Sequence, residues 1–277
     1  MLPPPPAPRT ATLRTGLRLE YAEGGISDGP PVVLVPGMGD SWRSFLPVLE
    51  RLPRRIHWLA VSPRGHGGSD HPPTGFTVGD YAADLVAFLD VLRVRSAVLV
   101  GHSSSTFPER QLAARLPARV AGLVLVGAPL TLSGSAEAVR FADTLLAGLE
   151  DPVPEEFVQR LTTMTVGRPL PPALGTMLAR ENRLVPARVW KQTFAGLLAH
   201  DGVADLHRIS CPALLVWGDA DPLVGRAEQE SLCAHLPQAT LSVVPGAGHS
   251  PHWQHPAGVA AHLETFLDGL PGGPRSR

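Results

Sequence analysis

The sequence predicts an α/β fold, with a mostly parallel sheet and helices on both faces of it. Two observations support this fold class. Short, continuously apolar runs recur along the chain, as is typical of strands that are buried on both faces. The segments between these runs carry apolar residues at helical spacing. Because strands that alternate with helices favour a parallel sheet, we expect that arrangement here.

Eight segments have the pattern of strands, and the first two are predicted to form a hairpin around Thr15-Gly16. Helical patterns follow most of the later strands, as a covered parallel sheet requires. The predicted strands are residues 12–14, 17–21, 32–35, 58–61, 98–100, 120–126, 213–217 and 240–244, and the helices include 81–92, 226–235 and 258–267.

One long segment between the sixth and seventh strands lacks any strand-like run. Residues 131–209 instead carry helical patterns that are punctuated by prolines. We therefore predict an α/β core of residues 11–130 and 210–270, with a helical cap inserted at 131–209. Residues 1–10 and 271–277 are expected to be disordered tails.

Composition argues against several classes of protein. The chain has 277 residues, of which 44% are hydrophobic, enough to bury roughly 75% of the unfolded surface. A net charge of −1 gives no reason to expect a nucleic acid or a membrane as partner. The chain shows no signal-peptide pattern, and no apolar stretch approaches the roughly 20 residues of a membrane span. Cys211 and Cys233 lack metal-ligand spacing, so reduced thiols in a cytoplasmic protein are expected. The expected partner is a small-molecule substrate, and the sequence leaves open whether the chain forms a homodimer.

The strongest chemical signal is Gly101-His102-Ser103-Ser104-Ser105, which follows an apolar strand and precedes a helix-like stretch. A strand that turns sharply into a helix pushes the side chain at the apex, here Ser103, out of the sheet. Its hydroxyl then lies at a helix N-terminus, where free backbone N–H groups favour negative charge. A serine nucleophile that becomes an oxyanion during the reaction needs this environment.

Two further loops carry polar residues just after predicted strands. Gly218-Asp219-Ala220-Asp221-Pro222 follows one strand, and Gly246-Ala247-Gly248-His249 follows the next. Open α/β sheets bind ligands outside the carboxyl ends of their strands. We therefore expect both loops to lie near Ser103.

Either Asp219 or Asp221 could face His249. Asp219 lies inside the turn that Gly218 allows, where Asp side chains commonly bond their own backbone. Pro222 biases Asp221 towards an extended conformation. These tendencies favour Asp221 as the partner of His249.

The order Ser103, Asp221, His249, together with the sharp strand-to-helix turn at Ser103, which resembles a nucleophile elbow, is similar to the cap-bearing branch of the α/β-hydrolase family. The sequence departs from the family's G-x-S-x-G pattern at Ser105, where the family has glycine. The resemblance implies an α/β-hydrolase fold with an eight-stranded sheet and a helical cap.

The resemblance also implies roles for individual residues. Ser103 would be the nucleophile, His249 the base that takes and returns its proton, and Asp221 the carboxylate that orients His249. The backbone N–H groups of Met38 and Ser104 would form the oxyanion hole. No cofactor is implied.

Two patterns are open to other interpretations. His249, His252 and His255 recur at every third residue but lack a strong ligand nearby, so no metal site is expected. Trp190 and Phe194 lie four residues apart on a predicted cap helix. Packing within the cap and a wall of a substrate pocket both fit that spacing.

These observations predict a serine hydrolase that cleaves a small, largely apolar ester or lactone through an acyl-Ser103 intermediate. The family resemblance also admits C–C bond hydrolases and cofactor-free perhydrolases, which use the same three residues. A ligand-binding protein without activity is a further alternative, because one fold can serve many functions.

Overall fold

The computed structural model describes residues 6–26, 30–167 and 169–271. Its strands are β1 (Arg9–Thr12), β2 (Arg18–Gly24), β3 (Val32–Val35), β4 (Trp58–Val61), β5 (Ala97–His102), β6 (Val120–Val126), β7 (Ala213–Gly218) and β8 (Ala239–Val244). They form one sheet in the order β1-β2-β4-β3-β5-β6-β7-β8. All pairs from β4 to β8 are parallel, whereas β1 and β2 run antiparallel to their neighbours. The predicted α/β class with a mostly parallel sheet of eight strands is confirmed.

Helices cover both faces of this sheet, and an apolar core fills each side. Val33 contributes to one core and the adjacent Val32 to the other, since successive strand residues point to opposite faces. None of the helices in the described ranges is long and apolar enough to cross a membrane. The helices are α1 (Leu46–Leu49), α2 (Val78–Val91), α3 (Thr106–Arg115), α4 (Ala136–Phe141), α5 (Glu155–Val166), α6 (Pro172–Leu184), α7 (Ala187–Leu198), α8 (Arg226–His235), α9 (Pro251–Gln254) and α10 (Pro256–Gly269).

The first strand begins earlier than the sequence pattern suggested. β1 starts at Arg9, inside the segment 1–10 that was expected to be disordered, because it pairs with β2 along its length. Ala11 and Leu13 are buried in the core, which explains why ordered structure begins here. Residues 1–5 and 272–277 of the predicted tails lie outside the described residues.

The helices α4 to α7 lie between β6 and β7 and share an apolar cluster. Trp190 is fully buried and packs edge-on against Phe157, with ring centroids 5.1 Å apart. The cluster is also joined to the α/β core, since the hydroxyls of Tyr81 in α2 and Thr193 in α7 lie 2.7 Å apart. These contacts fix the inserted helices relative to the sheet.

Candidate active site

Ser103 lies at the apex of a sharp turn between β5 and α3. Its φ is 52°, in the left-handed region that is strained for a residue other than glycine. β5 ends at His102, and residues 103–105 form one 3₁₀ turn before α3 begins at Thr106. This strained strand-to-helix turn has the geometry of a nucleophile elbow.

The elbow accommodates Ser105, where the family pattern has glycine, through hydrogen bonds. Ser105 is buried, and its Oγ donates to the carbonyl of Val35 over 2.7 Å and accepts from the N–H of His102 over 3.0 Å. The hydroxyl therefore links the elbow to the end of β3. Pro108 is the third residue of α3, where the missing N–H would have no partner within the helix. Ser105 and Pro108 are thus both compatible with the turn.

His249, in the loop after β8, lies between Ser103 and Asp221. Its Nε2 is 2.8 Å from Oγ of Ser103, and its Nδ1 is 2.9 Å from Oδ2 of Asp221. In the tautomer that satisfies both contacts, Nδ1–H donates to Asp221 and Nε2 accepts from the Ser103 hydroxyl. The main-chain N–H of His249 donates to the carbonyl of Thr165 in α5 over 2.9 Å. The fold thus brings all three residues into one hydrogen-bonded chain.

The two candidate carboxylates have different partners. The Asp221 side chain is fully buried, and its Oδ1 accepts from the N–H groups of Leu223 and Val224 over 2.8 and 3.1 Å. These bonds hold Oδ2 towards His249. Oδ1 of Asp219 instead accepts from the N–H of Gly246. The structure therefore places Asp221, rather than Asp219, beside His249.

The residues proposed for the oxyanion hole are neighbours, but their contact was not anticipated. The N–H of Met38, in the loop after β3, donates to the side-chain Oγ of Ser104 over 2.8 Å. Ser104 therefore contacts Met38 through its side chain. The sequence signal for this contact is a hydroxyl residue directly after Ser103.

Two more histidines are buried beside His249. The Nε2–H of His102 donates to the main-chain carbonyl of His249 over 3.1 Å, and the rings of His102 and His252 are 4.5 Å apart. Burial, reinforced by His252 and His249, lowers the pKa of His102 well below its ordinary value. Burial also lowers the pKa of His252 to about 3. Both rings are therefore neutral near pH 7 and add no positive charge to the site.

A cavity of about 1300 Å³, measured out to its open mouth, contains these groups. Ser103 and His249 line it, and so do Trp190 and Phe194 of α7. The wall also includes a polar pair that sequence reasoning missed, Asp40 and Asn182. Within the described ranges of the chain, no three His, Cys, Asp or Glu side chains are arranged to hold a metal ion.

Known proteins share this sequence pattern and fold. Residues 30–256 match the family model described as alpha/beta hydrolase fold. The chain is 31% identical over 284 residues to a non-heme chloroperoxidase of Streptomyces lividans, with 93% of this chain and 99% of the relative covered. It is 27% identical over 255 residues to a 2-(acetamidomethylene)succinate hydrolase of Mesorhizobium japonicum, with 87% and 88% covered. An enol-lactonase from Burkholderia xenovorans has the same fold, with a TM-score of 0.82 at 20% identity over 94% of this chain and 99% of that one.

Proposed function

Since the chain belongs to the α/β-hydrolase fold family, we propose that it is a serine hydrolase that cleaves a small, largely apolar ester or lactone. The observation that carries this proposal is the hydrogen-bonded chain from Asp221 through His249 to Ser103. A nucleophile whose base is oriented by a third group is the arrangement that acyl transfer requires.

The contacts suggest a role for each group. Nε2 of His249 takes the Ser103 proton while Oγ attacks the substrate carbonyl carbon. The Asp221 carboxylate holds Nδ1–H and stabilises the imidazolium that forms. The tetrahedral intermediate then expels the alcohol, which receives the proton from His249. Water, activated by the same imidazole, attacks acyl-Ser103 and releases the carboxylic acid.

The oxyanion would be stabilised by the backbone N–H groups of Ser104 and Met38. The Met38 N–H is occupied by the Ser104 hydroxyl in this structure. The hydroxyl must therefore rotate away, or be displaced by the substrate oxygen, before Met38 can donate to the oxyanion.

The preference for an apolar substrate rests on the cavity wall. Phe107, Phe141, Trp190 and Phe194 all line the cavity that holds Ser103. Burial of an acyl chain against such side chains stabilises the complex by about 0.8 kcal/mol for each buried CH₂ group. Rates with aryl esters should therefore rise with acyl length until the cavity is filled.

Labelling with a fluorophosphonate probe and turnover of aryl esters and lactones of graded acyl length test this function. We expect Ser103→Ala to abolish labelling and to lower kcat by about 10⁴–10⁶. Ser231→Ala, in α8, is a matched control that should leave both unchanged. Labelling that persists in folded Ser103→Ala protein would refute the assignment of the nucleophile.

A cofactor-free perhydrolase is the second candidate, favoured by the 31% identity to the non-heme chloroperoxidase. In this reaction hydrogen peroxide replaces water in the attack on acyl-Ser103, and a peracid leaves in place of the acid. Bromide oxidation in the presence of acetate and peroxide would report the peracid. If the protein is a perhydrolase, Ser103→Ala should abolish this bromide oxidation.

A further inference from the structure

Two buried polar residues in the wall of the cavity take no part in the proposed hydrolysis. Asp40, in the loop after β3, is 4% exposed, and Asn182, in α6, is 6% exposed. Both line the cavity that also contains Ser103 and His249. The cavity wall therefore includes a buried carboxyl group and a buried carboxamide group side by side.

The hydrogen bonds of this pair leave acceptor oxygens free. Nδ2 of Asn182 donates to Oδ1 of Asp40 and to the carbonyl of Gly39, each over 2.9 Å. Among the described residues, none donates to Oδ2 of Asp40 or to Oδ1 of Asn182. Neither oxygen is among the fully enclosed polar atoms that lack a partner, so both are accessible from the cavity that their residues line. Both oxygens are therefore suited to accept hydrogen bonds from a ligand.

The charges around Asp40 favour a cation. Glu181 adjoins Asn182 in α6, and it shares the guanidinium of Arg43 with Glu20, over 3.5 and 3.1 Å respectively. Arg43 is thus paired with the carboxylates of Glu20 and Glu181, and no arginine contributes to the electrostatics of Asp40 among the described residues. Burial, and to a smaller extent Glu181, raises the pKa of Asp40 to about 7. A positively charged ligand would offset both effects.

We propose that Asp40 and Asn182 form a subsite for a hydrogen-bond-donating group of the substrate, best a primary ammonium, while the ester lies at Ser103. A primary ammonium has several N–H donors and can serve both free oxygens at once, whereas a hydroxyl has one. This inference rests on the proposed ester hydrolysis. It adds a specificity to that function, because an apolar chain alone would leave the Asp40 oxygen unpaired.

The test compares p-nitrophenyl esters whose acyl chains have equal length but different ends. The ends are methyl, hydroxyl, primary ammonium and trimethylammonium, over a graded series of lengths at pH 8. At the length that reaches the subsite, we expect kcat/KM to be highest for the ammonium ester, intermediate for the hydroxyl ester and lowest for the methyl ester. The trimethylammonium ester separates charge from hydrogen bonding, because its end is charged but has no N–H donor. We expect its kcat/KM to be lower than that of the primary ammonium ester.

Asp40→Asn replaces the carboxylate with a group of equal size. We expect it to lower the ratio of kcat/KM between ammonium and methyl esters by roughly 10–100-fold, as loss of a hydrogen bond to a charged group does. Glu137→Gln is the matched control, because Glu137 also lines the cavity but its side chain is 87% exposed. Its ratio should stay at the wild-type value. If Asp40→Asn does not fold, Asn182→Ala should lower the same ratio by removing the second acceptor.

The subsite would be overturned if the ratio of kcat/KM between ammonium and methyl esters were near one at every acyl length, or if Asp40→Asn left that ratio unchanged. Asp40 and Asn182 would then be only a contact between α6 and the loop after β3. Calorimetric titration with ω-amino and alkyl carboxylates keeps the test independent of turnover. Absence of ester turnover with preferential binding of the amino acids would refute the proposed hydrolysis but support the subsite. Ester turnover without any preference for the ammonium esters would support the proposed hydrolysis but refute the subsite.

Discussion

The imidazole of His102 donates its Nε2–H to the main-chain carbonyl of His249 over 3.1 Å. This bond ties the residue before the proposed nucleophile to the backbone of the proposed base. It therefore gives His102 a positioning role, because His249 must keep its contacts with both Ser103 and Asp221.

Replacement of His102 with phenylalanine would keep a buried ring and remove the donor. We expect kcat for an aryl ester to fall about tenfold, since one hydrogen bond is worth about 1–1.5 kcal/mol. KM should change little, because His249 acts in acyl transfer and not in substrate binding. The loss should be the same factor from about pH 7 to 9, since burial holds the pKa of His102 well below its ordinary value and the ring is neutral in that range. A factor that varies with pH would contradict this role.

The contact between Met38 and Ser104 predicts that the Ser104 side chain is dispensable. Ser104→Ala frees the Met38 N–H for the oxyanion and keeps the backbone N–H of residue 104. We expect kcat to stay within about threefold of wild type or to rise. If the Ser104 hydroxyl itself stabilised the oxyanion, kcat would instead fall by about 10²–10³, as it does when one donor of an oxyanion hole is lost. Steady-state kinetics separate the two outcomes.

The hydrogen bonds of the two aspartates predict unequal effects of their removal. Asp221→Asn should lower kcat by up to about 10⁴, as does loss of the orienting carboxylate in a Ser-His-Asp triad. Asp219→Asn disturbs one bond to the Gly246 N–H and should cost less than about tenfold, or roughly 1 kcal/mol. Circular dichroism would confirm that both variants fold. A larger loss in Asp219→Asn would show that the acid is wrongly assigned.

Sequence patterns located Ser103, Asp221 and His249 because each follows an apolar strand, and parallel strands bring those loops to one edge of the sheet. The same patterns could not find Asp40 and Asn182. Their hydrogen bond joins residues 142 positions apart, and its importance comes from burial against the inserted helices. Hydrophobic periodicity records which face of an element is buried but not which distant element covers it. The early start of β1 was missed for a similar reason, since pairing with β2 decides it.

Asp40 should also make stability depend on pH. Burial raises its pKa from 3.8 to about 7, so the unfolded chain loses this proton near pH 4 and the folded protein loses it near pH 7. Between these values the unfolded state binds fewer protons, and the contribution of Asp40 to the free energy of unfolding therefore falls as pH rises. Above about pH 8 the contribution is constant and unfavourable.

Asp40→Asn removes this titration, so the Tm of the variant minus that of wild type should increase between about pH 4 and 7 and then level off. An increase on the order of ten degrees is expected, because a pKa of about 7 instead of 3.8 corresponds to about 4 kcal/mol, and about 1 kcal/mol corresponds to roughly 2–4 °C in a domain of this size. Thermal melts of both proteins across that range measure the difference in Tm. A loss of hydrogen bonding that does not depend on pH shifts this difference equally at every pH, so it does not affect the slope against pH. Glu137→Gln should show no such slope, since its side chain is exposed. A Tm difference that is flat from pH 4 to 8 would mean that the buried Asp40 carboxyl ionises as easily as in the unfolded chain.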